Sequence, residues 1–282
     1  MRIAIVTDST SDLPKEVADE YGITIVPLNV RFGLEEFKDG IDIDNDEFYR
    51  RLQSESELPT TSQPSPGAFT ETYRKLAEDH EAIISVHLSA KVSQTMNSAT
   101  QGARELAGGD LRIETIDSGQ ATIALGLIAV EGAKTVAAGG SVEEVISAVK
   151  DASTRAKFYG MVNTLEYLVK GGRIGRAKAF MGGILKVTPI ITFEDGESAV
   201  AESPRTRRRG IERIKALTEV AAPFQHLAVH YSTEPEVAAD LARGLAHVAP
   251  QGGIVTSQVG AVIGTYAGPG SLGVGFIRKK PD

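Results

Sequence analysis

Two segments of the chain combine serine and threonine hydroxyls with a predicted helix start. The first, residues 60–67, reads TTSQPSPG, in which Ser65 is the expected N-cap and Pro66 the first helical residue. The second, residues 89–95, reads SAKVSQT and follows a predicted strand at 82–87, at the end where open α/β sheets bind ligands. Unpaired N–H groups at a helix start and nearby hydroxyls can hold a carboxylate or phosphate. Plain helix capping is the competing interpretation of each segment.

Two further motifs could carry chemistry but have simpler interpretations. Residues 8–12, DSTSD, follow the first predicted strand and could hold magnesium. No second acidic cluster completes such a site, and the segment is explained if Ser11 or Asp12 caps the helix that begins near Pro14 and Asp8 closes the turn. Residues 268–273, GPGSLG, match the G-x-G-x-x-G pattern, but the nine residues that follow cannot supply the helix and strand of a dinucleotide site. We interpret this segment as a turn.

Histidines and arginines supply the remaining candidates. The five histidines show no spacing typical of metal ligands, so we expect no metal site, and His230 is the best placed, at the end of a predicted strand. Basic residues concentrate at 205–209 (RTRRR), where a solvated helix face and a site for a carboxylate, phosphate or acidic partner are both open. Arg173 follows two glycines in a second turn, of the kind that ends a helix.

The composition excludes several classes of function. The 282 residues include no cysteine, which excludes disulfides, thiolate-bound metals and cysteine nucleophiles. The 30 basic and 37 acidic residues leave a net charge of −7, which disfavours a general nucleic-acid binder. The longest apolar run, residues 123–130, is too short to span a bilayer, and the apolar run at the N-terminus is too short for a signal peptide. We therefore expect a cytoplasmic protein.

Alternating strands and helices in the first half predict an α/β fold that positions these motifs. Ser141 and Glu144 form a capping box that opens the last of the helices. The alternation is typical of a parallel sheet with helices on its faces. The predicted strands are 2–7, 23–30, 82–87 and 111–116, and the predicted helices are 14–21, 46–52, 66–80, 93–106, 122–138 and 142–154.

The pattern changes near residue 155. Residues 187–193 and 198–202 are extended runs joined by an Asp-Gly turn, which is typical of an antiparallel hairpin. Helices are expected at 177–185 and 207–220. We predict two closely docked domains, 1–155 with a parallel sheet and 156–282 with a mixed or antiparallel sheet.

Several motifs taken together resemble the DegV family. The resemblance implies a two-domain α/β protein, with a three-layer α/β/α first domain, that binds a long-chain fatty acid between its domains. In several bacteria such proteins are the fatty-acid-binding subunit of fatty acid kinase, which presents the carboxylate to a separate ATP-using subunit that makes acyl phosphate. The motifs are residues 8–14 (DSTSDLP), 61–65 (TSQPS), 165–168 (LEYL), 171–174 (GGRI), 205–207 (RTR) and 268–270 (GPG).

The resemblance also implies site residues. Thr61 and Ser93 match the family's threonine and serine that hydrogen-bond the fatty-acid carboxylate. Arg205 is expected near the head group, and Arg173 is expected to face the kinase partner. Tyr266 stands where members commonly have a histidine and is the fourth expected ligand residue.

The chain departs from the family pattern close to these positions. Gln94 replaces a glycine beside Ser93, and Ala267 replaces a hydroxyl residue beside Tyr266. The departures bear on the geometry at the head group and on use by a kinase, and bear less on binding of the acyl chain.

The first functional hypothesis is a non-catalytic carrier of a long-chain fatty acid such as palmitate or oleate. It needs no cofactor and no metal, and burial of the acyl chain drives binding. Small and aliphatic residues, such as those at 121–130 and 181–185, could line a tunnel for the chain.

Two alternatives remain. One is an enzyme that acts on a small phosphorylated or carboxylated substrate, with Ser93 or Ser9 as nucleophile and His230 or Arg205 in support, although no base stands at a recognisable spacing from either serine. The other is a partner-binding module that uses Arg173 and the basic segment 205–209.

Overall fold

The computed structural model describes residues 2–108, 111–180 and 187–280. Short 3-10 turns lie at Ser9–Ser11, Gly175–Phe180 and Ala246–Val248. The strands are β1 (Ile3–Asp8), β2 (Ile23–Val26), β3 (Asn29–Phe32), β4 (Glu35–Lys38), β5 (Thr60–Ser62), β6 (Ala82–His87), β7 (Arg112–Asp117), β8 (Ala156–Met161), β9 (Ile190–Glu194), β10 (Glu197–Glu202), β11 (Phe224–Tyr231), β12 (Val255–Gln258) and β13 (Leu272–Arg278). The helices are α1 (Lys15–Glu20), α2 (Asn45–Ser54), α3 (Pro66–Leu76), α4 (Thr95–Arg104), α5 (Thr122–Ala137), α6 (Val142–Arg155), α7 (Glu166–Lys170), α8 (Arg207–Ala221), α9 (Pro235–Leu245) and α10 (Ala261–Ala267).

The first sheet has four parallel strands in the order β2-β1-β6-β7. Both faces are covered, because alternate residues of a strand point to opposite sides. In β1, Ile3 and Ile5 pack with the α5 and α6 side chains, whereas Ala4 and Val6 pack with those of α3 and α4. The predicted parallel sheet between two helical layers is confirmed.

One predicted strand, 23–30, is wrong as a single element. It divides at Pro27 into β2, which joins the parallel sheet, and β3, which joins a separate antiparallel sheet in the order β4-β3-β5. Proline has no N–H to donate to a ladder, so it stands between the strands. In the small sheet Thr61 of β5 pairs with Val30, and the segment around Thr61 is therefore held by backbone pairing before the chain enters α3.

The third sheet is mixed, in the order β10-β9-β8-β13-β11-β12, and it begins at Ala156, directly after α6. All its pairs are antiparallel except β11 with β12. The predicted hairpin is confirmed, with Asp195 and Gly196 both at positive φ in its turn. Apolar residues of α8 and α9, including Ile214 and Leu241, cover one face of this sheet.

Helix α5 joins the two halves of the chain. Its residues pack in one hydrophobic cluster with side chains of the first sheet and with Ala156, Ala228 and Ile277 of the third. Gly275 of β13 allows this approach, because a Cβ atom there would lie 2.6 Å from Ile123 Cγ2. Of the residues at 121–130 that could line a tunnel, residues 123–130 are therefore core, whereas Ala121 and Thr122 belong to the lining of a cavity. The two-domain division at residue 155 stays a prediction.

Local details of several predicted helix starts also differ. The predicted cap of α1 by Ser11 or Asp12 is wrong, because α1 follows Pro14 without a side-chain cap. Asp8 closes the preceding 3-10 turn, as predicted, by accepting from Thr10 N. Helix α4 begins after Gln94, two residues later than predicted. The capping box of α6 and the Ser65 cap of α3 are present as predicted. Of the predicted helix 177–185, the first part forms a 3-10 turn, and residues 181–186 lie outside the described residues.

Helix α10, which the sequence did not predict, is fixed to the first half of the chain by two buried carboxyl groups. Asp12 Oδ1 accepts a hydrogen bond from Gly260 N at 2.9 Å, and Asp39 Oδ1 accepts one from Ala261 N at 3.0 Å. Burial raises the pKa of Asp39 to about 6 and raises the pKa of Asp12 well above its usual value. The negative charge of ionised Asp39 adds to the rise in the pKa of Asp12, because like charges disfavour each other's ionisation.

Replacement of Asp39 with asparagine is expected to change how stability depends on pH. A carboxyl whose folded pKa is raised stabilises the fold while protonated, and this contribution is lost as the pH rises from about 4 through about 6. The free energy of unfolding of Asp39→Asn, relative to wild type, should therefore increase by on the order of 2 kcal/mol between about pH 4.5 and about pH 7.5. Urea unfolding at both pH values measures it. The exposed Asp79→Asn is the control, and equal behaviour of the two variants would contradict the expectation.

Candidate ligand-binding cavity

An apolar cavity lies between the small antiparallel sheet, α10 and the inner face of the third sheet. Both halves of the chain contribute to the lining: one group of lining residues lies between positions 28 and 122, and the other lies between positions 158 and 272. Successive side chains of β11 point to opposite faces of the sheet. Val229 therefore packs toward α8 and α9, and its neighbour His230 lines the cavity. The aliphatic lining includes Leu28, Leu88, Met161, Val162, Ile191 and Leu272.

Polar groups gather in this lining. Thr61 Oγ1 and Tyr266 Oη lie 2.5 Å apart in a hydrogen bond in which either can be the donor. Ser93 also lines the cavity, and its hydroxyl accepts from Thr95 N and contacts Thr95 Oγ1 at 2.9 Å. The sequence placed Thr61, Ser93 and Tyr266 in one site, and the structure brings all three to the same cavity.

Arg173 joins the same lining. Its guanidinium lies 5.3 Å from the centre of the Tyr266 ring, a cation–π distance. Its Nε donates to Val92 O at 3.3 Å, and its Nη1 donates to Gly171 O at 2.8 Å. Within the described part of the lining, Arg173 carries the one permanent charge and no residue is acidic. This combination of an apolar interior, hydroxyl groups and a single cation suits an amphipathic anion.

Arg205 lies apart from this group. Its side chain is exposed and is absent from the described cavity lining, and its predicted place near a head group stays a prediction. The adjacent arginines form ion pairs on the surface: Arg207 with Glu234, Arg209 with Glu212, and Arg213 with Glu202. These pairs favour the solvated-face interpretation of the basic segment.

Two further polar residues, Thr122 and His230, line the cavity. Thr122 follows the β7 loop and begins α5, and His230 lies in β11; both are buried. Burial lowers the pKa of His230 to about 3, so the imidazole is neutral at physiological pH. A polar residue within the apolar pattern of residues 227–231 was the available signal for His230, whereas the place of Thr122 depends on how the helices and sheets pack.

The described residues place no catalytic base in hydrogen-bond contact with Ser93, the serine of the cavity lining. Ser9 lies outside the cavity lining, accepts from Leu28 N and contacts Asp39, whose buried carboxyl also binds Ala261 N of α10. The hydrogen bonds found for Ser93 within the described residues involve only Thr95. A catalytic serine needs a base within hydrogen-bond reach. These contacts therefore give the alternative no support.

A serine–histidine–aspartate relay does exist elsewhere. Ser85 Oγ lies 2.7 Å from His87 Nε2, and His87 Nδ1 lies 2.9 Å from Asp8 Oδ2. All three side chains are fully buried, and Tyr73 Oη donates a hydrogen bond to Ser85 Oγ at 2.8 Å. No substrate can reach this serine, so the network stabilises the first sheet instead. Among the residues that the structure describes, no group of three or more histidine, aspartate or glutamate side chains could hold a metal ion, and no helix has the length and apolar character to cross a membrane.

Comparisons with known proteins agree with this fold. The model of the DegV family, described as uncharacterised proteins, matches residues 2–279. A DegV domain-containing protein of Streptomyces coelicolor is 39% identical over 277 residues, which cover 96% of this chain and 97% of the relative.

Two solved structures of the family also superpose on the chain. DegV of Bacillus subtilis, a fatty acid binding protein, has a TM-score of 0.90 at 34% identity and covers 99% of this chain and 100% of its own. A stearic acid-binding protein of Eubacterium ventriosum has a TM-score of 0.89 at 27% identity, with 98% of each chain covered. The match along nearly the whole sequence and the shared fold show that the chain belongs to the DegV family.

Proposed function

We propose that the protein binds a long-chain fatty acid such as palmitate or oleate, with the hydrocarbon chain in the apolar cavity and the carboxylate at Thr61, Ser93, Tyr266 and Arg173. The observation that carries this proposal is that hydroxyl groups and a single guanidinium line a mainly apolar cavity whose described lining has no acidic residue. The fatty acid ligands of the related B. subtilis and E. ventriosum proteins support it.

The proposal divides the binding free energy between the two ends of the ligand. Burial of the acyl chain contributes about 0.8 kcal/mol per methylene before entropy losses. Charge-assisted hydrogen bonds at the carboxylate contribute less and fix the orientation of the chain. Titration of delipidated protein with palmitate, with hexadecane as the ligand that lacks a head group, tests this division. Failure to bind palmitate would contradict the proposal.

Replacement of Tyr266 with phenylalanine is expected to weaken palmitate binding about tenfold, because one hydroxyl donor to the carboxylate is lost while the ring under Arg173 stays. Displacement of a fluorescent fatty acid measures the effect. Tyr21→Phe, at the end of α1 and outside the cavity lining, is the matched control. Wild-type affinity in Tyr266→Phe would show that this hydroxyl does not contact the ligand.

We further propose that the bound carboxylate is presented, in the cytoplasm, to a separate fatty acid kinase subunit that phosphorylates it. The exposure of Arg173 beside Tyr266 supports this, because a basic residue near the head group can contact an ATP-bearing partner. Palmitate-loaded protein mixed with ATP and the ATP-binding subunit of a bacterial fatty acid kinase should yield acyl phosphate, which hydroxylamine traps. If the protein binds palmitate but no acyl phosphate forms, the protein is a fatty acid carrier and the proposed role with a kinase is wrong.

A further inference from the structure

His230 places an unsatisfied polar group in the lining of the mainly apolar cavity. The side chain is 3% exposed, and its Nδ1 has no hydrogen-bond partner among the described residues. The Phe158 ring packs edge-on against the imidazole at 5.1 Å between ring centres. The neutral imidazole offers one donor and one acceptor, yet its surroundings are those of an apolar core residue.

The imidazole occupies space that a side chain at position 273 would otherwise fill. Gly273 pairs with His230 across β11 and β13, and a Cβ atom at Gly273 would lie 2.6 Å from His230 Nε2. Any larger residue at 273 would displace the ring. The histidine therefore depends on a glycine within a buried strand, where glycine is otherwise unfavourable.

Thr122 supplies a second unsatisfied group in the same lining. Its Oγ1 is buried and has no hydrogen-bond partner within the part of the chain that is described. Its φ is +56°, a left-handed conformation that a β-branched residue rarely adopts. Strained backbone and unpaired buried polar atoms of this kind concentrate at ligand-binding positions.

A saturated hydrocarbon chain leaves both groups without a partner. A ligand that covers a buried donor or acceptor without a hydrogen bond binds more weakly, because the polar group loses its contact with water. A ligand oxygen beside His230 or Thr122 would form that hydrogen bond. We infer that the cavity recognises long-chain fatty acids that carry a hydroxyl group on the acyl chain, which hydrogen-bonds His230 and Thr122. The inference rests on the proposed fatty acid binding and adds a class of preferred ligand.

A comparison of stearate with hydroxystearates tests the inference. Delipidated wild-type protein is titrated with stearate and with isomers that carry the hydroxyl at successive mid-chain positions. At least one isomer is expected to bind about fivefold or more tightly than stearate, as one or two neutral hydrogen bonds would give. His230→Phe and Thr122→Gly should each reduce the ratio of hydroxystearate affinity to stearate affinity about threefold or more. Thr122→Gly removes the hydroxyl and relieves the positive φ, so it tests the same contact if His230→Phe does not fold.

The outcomes separate this inference from the proposed function. If stearate binds and every hydroxystearate binds more weakly in wild type and variants alike, the inference is wrong and fatty acid binding stands. If neither stearate nor any hydroxystearate binds, the proposed function itself fails.

Discussion

Ile263→Trp is expected to weaken palmitate binding at least about 100-fold while the protein stays folded. Ile263 is half-buried on α10 and lines the cavity, so an indole at this position has space toward solvent for the fold but fills the volume that the acyl chain needs. Exclusion of even four methylenes from the cavity removes about 3 kcal/mol, which is more than 100-fold in affinity.

Isothermal titration of delipidated protein with palmitate measures the loss. Leu34→Trp is the matched control, because Leu34 is fully exposed at the turn between β3 and β4 and lies outside the cavity lining. Thermal unfolding of both variants shows that the fold is kept. Palmitate affinity within threefold of wild type in Ile263→Trp would mean that the acyl chain binds elsewhere.

The double variant Thr61→Val, Ser93→Ala is expected to lose about 100-fold in palmitate affinity. Each hydroxyl that donates to an ionised carboxylate contributes about 1.5 kcal/mol, and the loss of both costs up to about 3 kcal/mol, because the two hydroxyls share one carboxylate as their partner. Methyl palmitate, which has the same chain without the negative charge, should lose much less affinity, because its neutral ester oxygen accepts weaker hydrogen bonds.

The control for this variant is the double substitution Ser54→Ala, Thr154→Val, which removes two exposed hydroxyls at the ends of α2 and α6. A decrease for methyl palmitate as large as that for palmitate would show that the substitutions damage the chain-binding cavity and that the hydroxyls do not hold the carboxylate.

The elements that the sequence predicted well have local signals. The Ser141–Glu144 capping box, the Asp-Gly hairpin turn and the Ser65-Pro66 helix start each depend on neighbouring residues, and each is present. The same locality explains why strand 82–87 agrees with β6 residue for residue.

The elements that the sequence missed depend on tertiary contacts. Helix α10 has the sequence AVIGTYA, in which glycine and β-branched residues disfavour helix; Asp12 and Asp39, more than 200 residues earlier, bind its first N–H groups. Residues 121–130 could equally be core or tunnel lining from the sequence, because an apolar run has the same pattern in both places; Ala121 and Thr122 line the cavity and residues 123–130 are core.

The candidate site was predicted in part. Thr61, Ser93 and Tyr266 were named from the resemblance to the family and share one cavity. Arg173 was expected to face a partner, and its contact with Tyr266 depends on how the turn after α7 packs against α10, which no spacing in the sequence reveals. Arg205 was expected near the head group, and the structure gives it no contact there.

Native mass spectrometry of the protein purified from bacteria tests the central claim most directly. The account predicts a complex with one fatty acid of about 16 to 18 carbons per chain, in keeping with the length of a stearic acid ligand in the related E. ventriosum protein. Delipidated protein should regain the same mass increment when palmitate or oleate is added. A ligand-free spectrum that stays ligand-free after both additions would contradict the account.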